Sequence, residues 1–243
     1  MTFNKYLIFA FTYVSLALPA HAGPNKVRSP YISKGEIKIE NFGIYEFNHG
    51  NSKHEWEHET EIEYGLTDYF QPVLGFEIKR ENDESTRIEE VELGAKFQFT
   101  PKGAYWVDSG LYTRYIIATD SDKSDKISAM FLFAKSFEDQ GTAKLNIEFD
   151  QQVGERSNND LEAALSGSYY KDVYKNTELG IEYYADFGKL NDSNGYSQQK
   201  HQIGPVIEYK LGNYHAELKL GYLQGISRAA ADSTIKYEIE FEF

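Results

Sequence analysis

From Gly35 to the C-terminus, apolar and polar residues alternate in runs of about ten, with turn residues between them. The last run is the clearest. Ile235, Tyr237, Ile239, Phe241 and Phe243 fall on one face, and Lys236, Glu238, Glu240 and Glu242 on the other. Segment 89–99 sets Val91, Leu93, Ala95, Phe97 and Phe99 against Glu90, Glu92, Gly94, Lys96 and Gln98. Segments 143–150, 177–188 and 214–226 repeat the pattern. A period of two puts each set on one side of a sheet. About twelve such strands are predicted, beginning near Glu36, Trp56, Val73, Ile88, Tyr105, Ile127, Ala143, Leu161, Thr177, His201, Tyr214 and Thr234. The first is ambiguous in phase, and the one at Ile127–Phe137 is nearly all apolar. Pro205 removes a ladder donor, so a bulge or local break is expected there.

The connections alternate in character. Gly65–Asp68, Thr100–Gly103, Asp139–Thr142, Lys171–Asn176 and Leu211–Asn213 are short. Asn48–Lys53, Glu81–Thr86, Thr119–Lys126, Val153–Asp160, Lys189–Gln199 and Ser227–Ser233 are longer and polar. Strands of 9–13 residues, even in number, with short turns at one end and long loops at the other, predict a transmembrane barrel. Aromatics gather near the short-turn end, among them Tyr64, Tyr69, Phe97, Phe99, Tyr105, Phe137, Tyr169, Tyr209, Phe241 and Phe243. Such rings form the girdle at a membrane interface. A soluble sandwich also alternates, but its strand-plus-turn spacing is 8–12 residues, against about 18 here.

The N-terminus carries a different pattern. Met1–Ala22 has Lys5, an apolar stretch from Tyr6 to Leu18, and Ala20-His21-Ala22, as a cleaved secretory signal does. The alternative, a membrane anchor, would need a longer apolar stretch. The expected organisation is a signal peptide at 1–22, a periplasmic N-terminal segment at 23–34 and a single barrel domain at 35–243.

Composition narrows the chemistry. The 243 residues contain no Cys, which excludes disulfides, thiolate metal sites and a thiol nucleophile. A net charge of −13 argues against nucleic acid as a partner. His54-Glu55-Trp56-Glu57-His58 matches the H-E-x-x-H pattern of zinc proteases, but that chemistry needs a helix. On a strand the two His would stand about 13 Å apart, too far to share a metal. His201 and His215 have no Ser two residues on, as a lipid hydrolase on one strand would have. The acidic loop Asp120, Asp122, Asp125 lacks the Gly and Glu of a dedicated calcium loop. No catalytic residue, metal site or cofactor is therefore predicted.

With apolar residues toward lipid, the opposite positions face the lumen. Predicted pore-lining residues are Glu59, Glu61, Glu63, Lys79, Glu92, Lys96, Arg114, Glu182, Glu208, Lys219, Glu238 and Glu240. Carboxylate rings favour cations, so a cation-preferring aqueous pore is expected. A charged network that holds the barrel shut is the competing expectation.

The signal, the alternating strand 234–243 and the terminal Phe243 resemble bacterial outer-membrane β-barrels. More narrowly, Glu63-Tyr64-Gly65-Leu66-Thr67-Asp68, Glu92-Leu93-Gly94-Ala95-Lys96-Phe97 and Gly221-Tyr222-Leu223-Gln224-Gly225-Ile226-Ser227 resemble a porin-like family related to the phenol-degradation MetA-type barrels. The resemblance implies an all-β, antiparallel barrel of about twelve strands, with ten and fourteen as neighbouring counts, in the bacterial outer membrane. It implies passive diffusion of small polar or cationic solutes. It implies outer-membrane lipid and lipopolysaccharide as surroundings, and the barrel-assembly machinery as a partner through the strand ending at Phe243. The acidic interior departs from oligosaccharide channels, whose interiors are basic. Two other functions stay open: a structural or surface-interaction barrel without conductance, and a lipid-modifying enzyme.

Overall fold

A computed structural model describes residues 26–48, 55–81, 86–138, 140–155, 157, 160–191, 195–212 and 215–243. The proposed signal peptide and His54 lie outside the described residues.

The chain forms twelve antiparallel strands: β1 (Ile37–Phe47), β2 (Glu55–Tyr64), β3 (Phe70–Glu81), β4 (Arg87–Gln98), β5 (Asp108–Ala118), β6 (Asp125–Phe137), β7 (Gly141–Val153), β8 (Leu161–Tyr174), β9 (Thr177–Lys189), β10 (Lys200–Leu211), β11 (Ala216–Gly225) and β12 (Ser233–Glu242). Each pairs with its neighbours in sequence, and β1 pairs with β12 from Lys38↔Glu242 to Phe47↔Ser233, closing a barrel. Closure leaves no strand edge unpaired, which is what a bilayer demands of a sheet. The last residue takes part: Phe243 N–H donates to Ile37 O at 2.9 Å, and Ile37 N–H donates to Phe243 O at 3.1 Å. The observed starts agree with the alternation to within three residues. The largest differences are at β3 and β5. The two-residue turn Lys175–Asn176 is tighter than predicted, with Asn176 in the left-handed region (φ 60°) that Asn tolerates.

Pro205 causes no change of register. It pairs with Ile181 on β9, while Gly204 and Pro205 form a gap in the ladder to β11. Register shifts fall elsewhere, at Glu77/Ile78 between β3 and β4 and at two places between β8 and β9.

The alternation sorts as expected for a membrane. Ile62, Leu93, Phe131, Ile181, Ile207, Leu220, Ile235 and Phe241 face outward and are exposed. The charged positions opposite are buried inside. Apolar residues turn inward as well, most of all on two strands. β6 turns Met130, Leu132 and Ala134 inward, with Met130 and Leu132 packed in a patch with Val73 and Tyr112. β1 turns Phe42 and Ile44 inward and leaves Asn41 outside, where Thr60 Oγ1 donates to its Oδ1 at 2.9 Å.

Candidate functional site: a charged lumen and the segment that crosses it

Strand β2 brings Glu57, Glu59, Glu61 and Glu63 to the inner face, each 5% exposed or less. Successive carboxylates on one face of a strand stand about 7 Å apart, and burying four of them requires cations close by. Neighbouring strands supply some. Lys79 Nζ lies 3.0 Å from Glu57 and also contacts Glu55. Lys96 Nζ lies 3.3 Å from Glu63. Arg114 binds Glu92 at 3.0 Å, Ser128 Oγ at 3.1 Å and the Glu148 carboxylate. Tyr112 donates to Glu92, and Gly94 makes room for it: a Cβ there would sit 2.7 Å from the Tyr112 hydroxyl.

Across the barrel, Lys236 Nζ lies 2.6 Å from Glu182, which also accepts from the hydroxyls of Tyr170 and Tyr184. Lys219 lies 2.6 Å from Glu238 and 3.6 Å from Glu208. Lys38 lies 2.9 Å from Glu240. All twelve residues singled out in the sequence thus sit in the interior. All but Glu59 are members of a paired network, and each Lys or Arg among them touches at least one carboxylate.

The sequence places residues 23–34 in the periplasm. Within that segment, residues 26–32 run inside the barrel, and Ser33 and Lys34 are exposed. Arg28 grips Glu61 with both guanidinium nitrogens, at 2.8 and 2.5 Å, and stacks 4.5 Å from the Tyr112 ring. Lys26 contacts Glu40 and lies 2.7 Å from Glu61. The backbone is clamped as well. Arg28 N–H donates to Asn146 Oδ1 at 2.7 Å, and Asn146 Nδ2 donates back to Arg28 O at 3.0 Å. Val27 packs with Tyr184 and Leu223, and Pro30 is fully buried against Gly110. Tyr31 donates to Asp108 at 2.8 Å, and Ile32 N–H donates to Gln98 Oε1 at 2.7 Å. The segment touches side chains from β1, β2, β4, β5, β7, β9 and β11. It lies between a cavity of about 90 Å³ toward the long loops and one of about 350 Å³ toward the short turns; Lys26 and Arg28 line both.

Sequence reasoning missed Lys26, Arg28, Glu40, Tyr112, Asn146 and Tyr184 as site residues. One signal was available. Residues 26–34 hold Lys26, Arg28 and Lys34 and no acid, next to a barrel whose inner positions are rich in acid. Among the described residues, His58 and His201 take no part in the charged network. His58 lies on the outer face, stacked with Trp56 and Tyr237, its Nδ1 2.7 Å from the Tyr237 hydroxyl. His201 has Tyr183 Oη 2.7 Å from Nδ1 and Gln199 Oε1 3.0 Å from Nε2, so no carboxylate orients it as a base.

No protein-family model matches the chain, and no curated protein matches it in sequence. Its fold does match solved structures. An outer membrane channel from Pseudomonas putida F1 superposes with a TM-score of 0.66 over 92% of this chain and all of that one, at 8% identity. The NanC porin superposes with a TM-score of 0.57, at 10% identity, over 83% of this chain and 97% of its own. The KdgM porin gives 0.53, at 10% identity, over 85% and 99%. The chain therefore has the fold of outer-membrane channels and porins: a closed antiparallel barrel of twelve strands.

Proposed function

We propose that the protein is an outer-membrane channel for small polar or cationic solutes whose passage is restricted by its own residues 26–32. The observation that carries this reading is the pair of charged cavities separated by a basic segment held by Lys26 and Arg28. The exposed apolar band and the aromatic rings at the short-turn end suit a bilayer and its interfaces. The terminal strand ending at Phe243 would be the element offered to the barrel-assembly machinery, and lipopolysaccharide would surround the outer half. Glu59, Glu61, Glu63, Lys79, Glu92, Lys96, Arg114, Glu182, Glu208, Lys219, Glu238 and Glu240 would line the path. A cation preference follows from the interior excess of carboxylates. No catalytic role is proposed for His201 or His215.

A second reading is favoured by the same segment. A lumen crossed by ion-paired chain also suits a structural barrel that conducts nothing. Planar-bilayer recordings of refolded protein in a salt gradient separate the two. Cation-selective reversal potentials, weakened by Glu92→Gln, support the channel. Anion selectivity contradicts it, and silence in both wild type and Lys26→Ala/Arg28→Ala selects the structural barrel.

A further inference from the structure

The ion-pair network leaves some carboxylates over. Glu59 is 5% exposed, yet among the described residues it makes no hydrogen bond or ion pair, and neither does Glu77. The strand register sets them opposite one another, Glu59↔Glu77, and sets Glu77 opposite Glu90 on β4. Like charges directly opposite on a sheet repel. All three line a small cavity of about 10 Å³, room for about one water-sized occupant, with Glu92, Asp150, Arg114, Lys126 and Ile116. The two cations there are engaged: Lys126 with Glu90 at 2.9 Å, and Arg114 with Glu92 and Glu148. Asp150 adds an oxygen, Oδ1, that is buried without a hydrogen-bond partner.

The backbone makes room for this crowding. Gly75 lies between β2 and β4, where a Cβ would stand 3.1 Å from Glu59 Oε1 and 3.0 Å from Glu92 Cβ. The register shift between β3 and β4 falls at Glu77; such irregularities re-aim side chains beside sites. One carboxylate oxygen each from Glu59, Glu61 and Glu92 lies within 4.8 Å of the others; Glu61 is held by Arg28 and Lys26, which leaves Glu59 and Glu92 facing the cavity. Oxygens around a Ca²⁺ ion, at 2.3–2.6 Å from it, stand up to about 5 Å apart. The cavity offers hard oxygen ligands and neither His nor Cys, which disfavours softer metals.

We infer that this cavity is a binding site for a divalent hard cation, Ca²⁺ by preference, with Glu59 and Glu92 as the ligands already at ligating distance and the uncompensated Glu77 and Asp150 as further carboxylates lining the cavity. Flexible carboxylates in an irregular cluster suit Ca²⁺ better than Mg²⁺, which demands near-ideal octahedral geometry. The site shares Glu59 and Glu92 with the proposed path, but its test is separate, because equilibrium binding needs no conductance.

The test is calorimetric titration of CaCl₂ into refolded, chelator-treated full-length protein in detergent. Tb³⁺ luminescence sensitised by Tyr112 serves as the second readout. One saturable site per chain is expected. Glu59→Gln/Glu77→Gln should weaken Ca²⁺ binding by roughly 100-fold or more, since both uncompensated carboxylates of the cavity lose their charge. Glu217→Gln, in the short-turn cavity, should leave it unchanged. Heat-modifiable gel migration checks that each variant is a barrel. Glu59→Asp, which keeps the charge on a shorter arm, gives a second measure should the double variant fail to fold, and should also weaken binding. Absence of saturable binding by wild type at millimolar Ca²⁺ would overturn the proposal. So would unchanged affinity in Glu59→Gln/Glu77→Gln or, failing that, in Glu59→Asp.

Discussion

On the β9–β12 side of the lumen, Lys236 meets Glu182 and Lys219 meets Glu238, each at 2.6 Å, so the wall neutralises its acids with lysines from its own strands. On the β2 side, Glu61 receives its cations from Lys26 and Arg28, which belong to no strand. A wall that pairs its own charges is permanent: its ion pairs are fixed by register and persist as long as the barrel does. A wall that borrows its cations from a chain segment depends on that segment staying in place. The difference teaches where, on the function proposed above, this barrel would open without unfolding.

Three substitutions sharpen the contrast. Lys236→Met strands Glu182 inside the self-paired wall, where no other lysine among the described residues touches it. Breaking a buried pair by removing one partner costs about 3–5 kcal/mol. Refolded protein should lose that much stability in urea titrations, with little change in any conductance. A loss under 1 kcal/mol would show that water reaches Glu182 freely. Asn146→Ala removes both hydrogen bonds to the Arg28 backbone. It should loosen the segment by about 1–3 kcal/mol, seen as faster amide exchange of residues 26–32 with the strands unaffected. Exchange that rises equally throughout would assign Asn146 to the wall instead. Tyr31→Phe deletes one hydrogen bond to Asp108 and should cost about 1 kcal/mol, the smallest of the three, read by the same exchange experiment.

Strand number, pairing order and the inward direction of the charged face were legible because a membrane barrel keeps lipid on one side and polar groups on the other, a strict period of two. The pattern blurred where both environments are mixed. β6 reads as continuously apolar because Met130 and Leu132 face Val73 and Tyr112 inside while Phe131 faces outward. β1 reads ambiguously because Phe42 and Ile44 point inward and outward Asn41 is satisfied by Thr60. The twelve charged interior positions followed from alternation. Their partners did not, since Arg28 and Glu61 are 33 residues apart and the segment carrying Arg28 has no periodicity of its own. Pairing across a lumen depends on barrel closure, which no local window contains. The surplus of acid over base at strand positions was the visible trace of the missing cations, and it pointed to water where the chain supplies Lys26 and Arg28.

The most direct measurement compares single-channel conductance of wild type with that of Lys26→Ala/Arg28→Ala. Wild type is expected to conduct weakly or in brief openings, and the variant to show larger, sustained, cation-selective openings in a barrel of unchanged gel migration. Equal conductance in the two proteins would contradict the assignment of residues 26–32 as the barrier across the lumen.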